Sequence, residues 1–83
     1  MKRNGVFAMA VSLEDICKLV ALELGIKKVN KHDHLRRDLG AESLDIQAMV
    51  TAVEDKYSIS VNDEDLAQIH TVTDFYQLVK DRL

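Results

Sequence analysis

Ser43 is the residue in this chain best placed to do chemistry. It closes the run Asp38-Leu39-Gly40-Ala41-Glu42-Ser43 and is followed by Leu44-Asp45. Gly40 permits a sharp approach, so Ser43 falls at or next to a helix N-cap, a position serine favours for capping alone. A phosphate attached to this oxygen would sit against the free N–H groups and positive dipole end of the helix. Unaided nucleophilic attack is another matter. The G-x-S-x-G elbow is absent, and no histidine has an evident position from which to act as base. If Ser43 reacts, another enzyme must activate it, and no catalytic residue is assigned.

Two other groups invite chemistry and are set aside. His32-Asp33-His34 resembles a metal-ligand cluster, but three adjacent loop residues give poor geometry and lack further ligands. Cys17 lies on the apolar stripe of a helix, where a packed, unreactive thiol is expected. His70 is expected to cap or pack near the start of the last helix.

The elements that position Ser43 follow from caps and periodicity. Ser12, with Glu14 and Asp15 behind it, starts a helix in which Leu13, Ile16, Cys17, Val20 and Leu24 form one stripe. Gly25 ends it. Residues 26–41 make a long polar connection with Val29, Leu35 and Leu39 as anchors, and connections of that length are often functional. Its cations, Lys27, Lys28, Lys31, Arg36 and Arg37, are most simply solvated side chains on a mobile segment. The second helix is expected over 43–57, a short third over 63–69 capped by Asn62, and a fourth opened by Thr71 with Asp74. In the fourth, Val72, Phe75, Val79 and Leu83 should share a face.

The composition agrees with a small helical domain. The chain has 83 residues, no Pro, three Gly and one Cys, so it has little material for the walls of an enzyme cleft. A domain this short buries only about 60–65% of its unfolded surface. One Cys excludes an internal disulfide and any cysteine-cage zinc site, and fits a reducing cytosol. No apolar stretch approaches the roughly 18 residues of a membrane span. Residues 1–11 are expected to form a frayed extension, or to reflect a true start at Met9, with one domain over 12–83.

Charge is unevenly distributed. Residues 1–37 carry eight basic and four acidic side chains, whereas residues 38–65 carry one basic and eight acidic. That acidic middle disfavours nucleic acid as a partner and suits basic protein surfaces. Within the second helix, Ile46, Met49, Val50, Val53 and Tyr57 form the core stripe. Leu44 lies roughly 160–200° from its middle, with Ala48, Thr51 and Asp55 lined up behind it. Glu54 and Asp55 both fall away from the stripe, so neither is expected to hold the fold. A helix-start serine, a leucine that the core does not need and an acidic rim suggest a docking strip.

The run Asp38-Leu39-Gly40-Ala41-Glu42-Ser43-Leu44-Asp45 resembles the attachment motif of acyl carrier proteins, D-L-G-A-D-S-L-D, with Glu42 for one Asp. Leu24-Gly25-Ile26, Glu54-Asp55-Lys56-Tyr57, Asp63-Glu64-Asp65 and Ile69-His70-Thr71-Val72 are similar to other stretches of that family, in register over roughly residues 12–83. The resemblance implies an all-α, up-and-down bundle of three main helices and one short one with a long first loop. It implies 4′-phosphopantetheine, moved from coenzyme A to Ser43 by a phosphopantetheinyl transferase. The arm's thiol then carries acyl thioesters among loading, condensing and acyl-transfer enzymes. It further implies a cytoplasmic, monomeric carrier without enzymatic activity, read by partners through Glu42, Leu44, Asp45, Ala48, Thr51, Glu54 and Asp55. Gln47, Ala48, Thr51, Asn62 and the basic first loop depart from the common pattern. They point at least as much to a specialised pathway as to central fatty-acid synthesis. The alternatives are an aminoacyl or peptidyl carrier with the same arm, or an unmodified helical adaptor.

Overall fold

The computed structural model describes residues 10–83, so all but the last two residues of the expected extension, 1–11, lie outside the described residues. Val11 already packs against the core. Four helices follow: α1 (Leu13–Leu24), α2 (Ser43–Tyr57), α3 (Asp63–Ala67) and α4 (Val72–Arg82). α1 packs against both α2 and α4.

Each helix begins where the sequence supplies a cap. Ser12 Oγ accepts the Asp15 N–H at 3.0 Å, and the Asp15 carboxylate accepts the Ser12 N–H at 3.2 Å. Hydrogen bonds from the Ser12 hydroxyl and N–H to the Asp15 carboxyl hold it below its usual range. The same reciprocal pair recurs between Asn62 and Asp65 at α3 and between Thr71 and Asp74 at α4. At the end of α1, Gly25 adopts the left-handed conformation with φ 68°. Its N–H donates to the Leu22 carbonyl and that of Ile26 to the Ala21 carbonyl, which closes the helix as a Schellman motif.

The core stripe of α2 is the expected one: Ile46, Met49, Val50, Val53 and Tyr57 are all buried. They meet Ile16 and Val20 of α1 and Val72, Phe75 and Val79 of α4. Three expectations need correction. α3 stops at Ala67, and Ile69 lies beyond it, buried as a loop residue. Leu83 does not join the α4 face; it follows the helix and is exposed. Cys17 is half-buried, at the edge of the stripe. Burial first, then the nearby Asp33 and Glu14 carboxylates, push its thiol pKa up and keep it protonated.

The first loop is fastened from Lys31 onward. His34 pairs with Thr71 in an isolated antiparallel bridge. Leu35 donates its N–H to the His70 carbonyl at 2.8 Å, Val72 donates to Asp33 at 3.0 Å, and Thr73 Oγ1 donates to the Lys31 carbonyl at 2.7 Å. Leu35 is buried among Ile46, Met49, Val50, Ile69 and Phe75 around a void too small for a water molecule. The expectation of a mobile segment therefore fails for the backbone from Lys31 onward. Periodicity could not reveal these bonds, because they join residues far apart in the chain.

Two outcomes test this packing. Val53→Asp places an unpaired carboxylate at a fully buried position, so the variant should lose its cooperative thermal transition by circular dichroism. Asp74 tests the caps. Burial pushes its carboxyl pKa up, but hydrogen bonds from the Thr71 and His70 N–H groups and the Thr71 hydroxyl outweigh burial and lower it. Its stabilisation is therefore present above about pH 4 and lost as pH falls through the lower folded value. Asp74→Ala should cost about 1 kcal/mol at neutral pH. That gap, measured by urea unfolding, should narrow steadily below about pH 4.

Candidate functional site

The site begins with the loop that delivers the chain to α2. Asp38 folds back so that its Oδ2 accepts the His34 N–H at 2.7 Å. Leu39 is half-buried against the core, and Gly40 follows with φ 72° in the left-handed region, where a side chain is strained. The Gly40 N–H donates to the Arg36 carbonyl at 3.1 Å and the Ala41 N–H to the Leu35 carbonyl at 2.8 Å. Ala41 then enters the core, only 4% exposed. Each residue of Asp-Leu-Gly-Ala thus has a separate job in turning the chain into the helix.

Glu42, not Ser43, is the N-cap of α2. Its backbone is extended (φ −100°, ψ 173°), and its carbonyl accepts the Ile46 N–H at 3.0 Å. Its own N–H donates to Asp45 Oδ2 at 2.8 Å. Ser43 is therefore the first helical residue, exposed, with its hydroxyl released from the cap. First-turn N–H groups have no intrahelical acceptors, so the positive end of the helix dipole lies here, beside the Glu42 and Asp45 carboxylates. The Arg36 guanidinium adds a full charge: Nη2 lies 3.4 Å from Ser43 Oγ. That contact spans seven residues across an irregular turn, and no periodic signal in the sequence marks it.

The structure divides the expected docking strip. Leu44 is 78% exposed. Glu42, Ala48, Thr51 and Asp55 are exposed along with it. Asp45 is half-buried and bonded to the Glu42 backbone. Glu54 corrects the expectation that it plays no part in the fold: it is half-buried, and its Oε2 accepts the Val61 N–H at 2.9 Å. It ties the chain after α2 back onto the helix, where Ser58 turns with φ 57°.

Of the remaining candidates, His34, Asp33 and His70 have structural partners. His34 Nδ1 accepts the N–H groups of Arg36 and Arg37 at 3.2 and 3.0 Å, and Asp33 accepts the Asn30 N–H at 2.9 Å. His70 donates its N–H to Asp74, and its ring lies 6.0 Å from that of His34. Among the described residues, no three His, Cys, Asp or Glu side chains converge to hold a metal ion. No helix among them is long and apolar enough to cross a membrane.

Comparison with known proteins points the same way. The family model described as the phosphopantetheine attachment site matches residues 14–79. An acyl carrier protein from an Exiguobacterium species is 34% identical over 73 residues, covering 86% of this chain and 92% of the relative. The solved structure of an acyl carrier protein from Thermotoga maritima superposes with a TM-score of 0.71 over 99% of this chain and 94% of that one. Its sequence identity is 18%, so that likeness speaks for the fold. Such carriers are not enzymes. They bear 4′-phosphopantetheine, attached by a phosphopantetheinyl transferase, and present acyl groups to acyl-handling enzymes. With its model matched from the first helix to the last, this chain belongs to the acyl carrier, phosphopantetheine-attachment family.

Proposed function

We propose that Ser43 Oγ is the atom that takes the 4′-phosphopantetheine arm, and that residues 12–83 form the carrier unit. The observation that carries this reading is the freed hydroxyl of Ser43 at the first position of α2. The capping work is done by Glu42 and Asp45, which leaves the oxygen exposed at the positive end of the helix dipole. The group fits there, because free N–H donors and the Arg36 guanidinium both favour a phosphate on that oxygen. When bound, the arm supplies a thiol on which acyl groups ride as thioesters.

Ser43 needs help to react. The side chain touching its hydroxyl is a guanidinium, a donor that cannot take its proton. The transferase must supply the base. The phosphorus–oxygen bond to Ser43 then forms as the bond to the nucleotide portion of coenzyme A breaks. The exposed strip of Leu44, Ala48, Thr51 and Asp55, with Glu42 at the serine, is the surface that this and the acyl-handling enzymes read. Leu44 offers a small apolar contact and the acids steer basic partner surfaces. Asp45 and Glu54 contribute field at that surface while their carboxylates hold backbone. Contacts of this kind are weak and exchange quickly, as a carrier with several partners in turn requires. The protein works as a monomer in the cytoplasm, in fatty-acid or more specialised acyl synthesis, with lone Cys17 suited to a reducing compartment.

Intact mass after incubation with coenzyme A and a broad-specificity transferase should rise by one phosphopantetheine, and Ser43→Ala should show no gain. Modification of the alanine variant would sink the assignment. The surface has its own test. Asp55→Lys should slow modification or acyl loading at low salt without changing the melting temperature. The difference should fade with added salt, since exposed charges act over about 8 Å at physiological ionic strength. Glu54→Lys should instead lower the melting temperature, because it strips Val61 of its acceptor. Equal rates for Asp55→Lys and wild type at low salt would remove this strip as the recognition surface.

A further inference from the structure

Arg36 sits in an acidic neighbourhood without a carboxylate partner. Asp38, Glu42 and Asp45 all lie within a short stretch of chain around it. Yet among the described residues the ion pair that forms is Arg82 with Asp65, at the far end of the molecule's last helix. Two of the nearby acids are already committed: Asp38 to the His34 N–H at 2.7 Å, and Asp45 to the Glu42 N–H at 2.8 Å. The Arg36 guanidinium faces the neutral Ser43 hydroxyl instead, at the long distance of 3.4 Å. One weak contact leaves most of its five N–H donors unused.

The backbone beneath it is fixed. The Arg36 N–H donates to His34 Nδ1 at 3.2 Å, and its carbonyl accepts the Gly40 N–H at 3.1 Å. Leu35, just before it, is 1% exposed and holds both the His70 carbonyl and the Ala41 N–H at 2.8 Å. The base of this side chain is therefore held at a set distance from Ser43, so only the side-chain torsions remain to be ordered when an anion arrives. Arg37, its neighbour, is equally charged and exposed, but makes no contact with Ser43 among the described residues.

We propose that Arg36 grips the phosphate that joins the arm to Ser43, a contact that begins to form as the phosphate is transferred. The proposal rests on Ser43 being the attachment residue. Once the hydroxyl proton has left to the transferase and the Oγ–phosphorus bond has replaced the bond to the nucleotide, the resulting diester carries one negative charge over two free oxygens. A guanidinium fork matches two such oxygens in one plane, where a neutral hydroxyl offered it one. The first-turn N–H groups of α2 add the positive end of the helix dipole to the same charge. The arm is thus anchored at its root and swings only beyond the phosphate.

The experiment separates this contact from the attachment itself. Intact mass first establishes one arm on the wild-type chain and none on Ser43→Ala; that step judges the attachment reading alone. Arg36→Gln and Arg37→Gln, which each remove one charge, are then driven to the modified form with excess transferase. Before modification, thermal melts of both should match unmodified wild type, since neither guanidinium holds the fold. The phosphorus-31 resonance of the diester should move in Arg36→Gln and stay in place in Arg37→Gln. The kcat/KM of modification should fall about fivefold for Arg36→Gln, the size of one exposed charge pair, and change little for Arg37→Gln. An unmoved resonance in Arg36→Gln, or an equal change in both variants, would overturn the proposal, the second by showing that net charge alone matters.

Discussion

Leu35 is the pivot of this structure. Its side chain fills the space between α2 and α4, while its N–H and carbonyl hold His70 on one side and Ala41 on the other. A buried backbone group left without a partner costs a domain of this size a large share of its stability, so both bonds have to form together with the burial. With them in place, the loop cannot drift from the start of α4. Everything that matters at the site lies within eight residues downstream: the guanidinium of Arg36, the turn at Gly40, the core contact of Ala41 and the hydroxyl of Ser43. The loop is long but its end is rigid, and the site is built on that end.

The acidic residues serve two purposes that their charge alone does not separate. Asp15, Asp45, Asp65 and Asp74 each accept the N–H of a capping residue three positions earlier, and Asp38 and Glu54 tie loops to their neighbours. In a chain with no proline and three glycines, these carboxylates supply much of the stop-and-start information that turn residues give elsewhere. The acids left exposed along α2, α3 and their caps are fewer: Glu42 and Asp55 beside Leu44, with Asp63 and Glu64 at α3. A carrier that must be released by each enzyme in turn gains from a short list of exposed charges, because each exposed pair contributes little and exchanges fast.

The same division explains why Ser43 is available. A serine at the N-cap position proper would have its oxygen engaged by a backbone N–H, as Ser12 Oγ is at α1. Shifting the cap by one residue, to Glu42, leaves Ser43 with helical backbone and a hydroxyl free of the cap. The acid at position 45 makes this possible by taking the Glu42 N–H. Its place in the motif is as much structural as electrostatic.

Local signals by themselves determined the helix starts, the caps of α1, α3 and α4, the core stripe of α2, the glycine stop at residue 25 and the motif around Ser43. Those features depend on neighbours within about four residues, which spacing and side-chain type reveal directly. Tertiary structure alone decided the rest. The first loop reads as a polar, mobile connection because its anchors, Leu35 on His70 and Thr73 on Lys31, join distant parts of the chain. Glu54 reads as a surface charge because the N–H it holds, that of Val61, lies beyond the helix end. Arg36 reads as one of five loop cations until the turn at Gly40 brings Ser43 back beneath its guanidinium. In each case the deciding partner lies outside the repeat of a single element, where no local pattern can point to it.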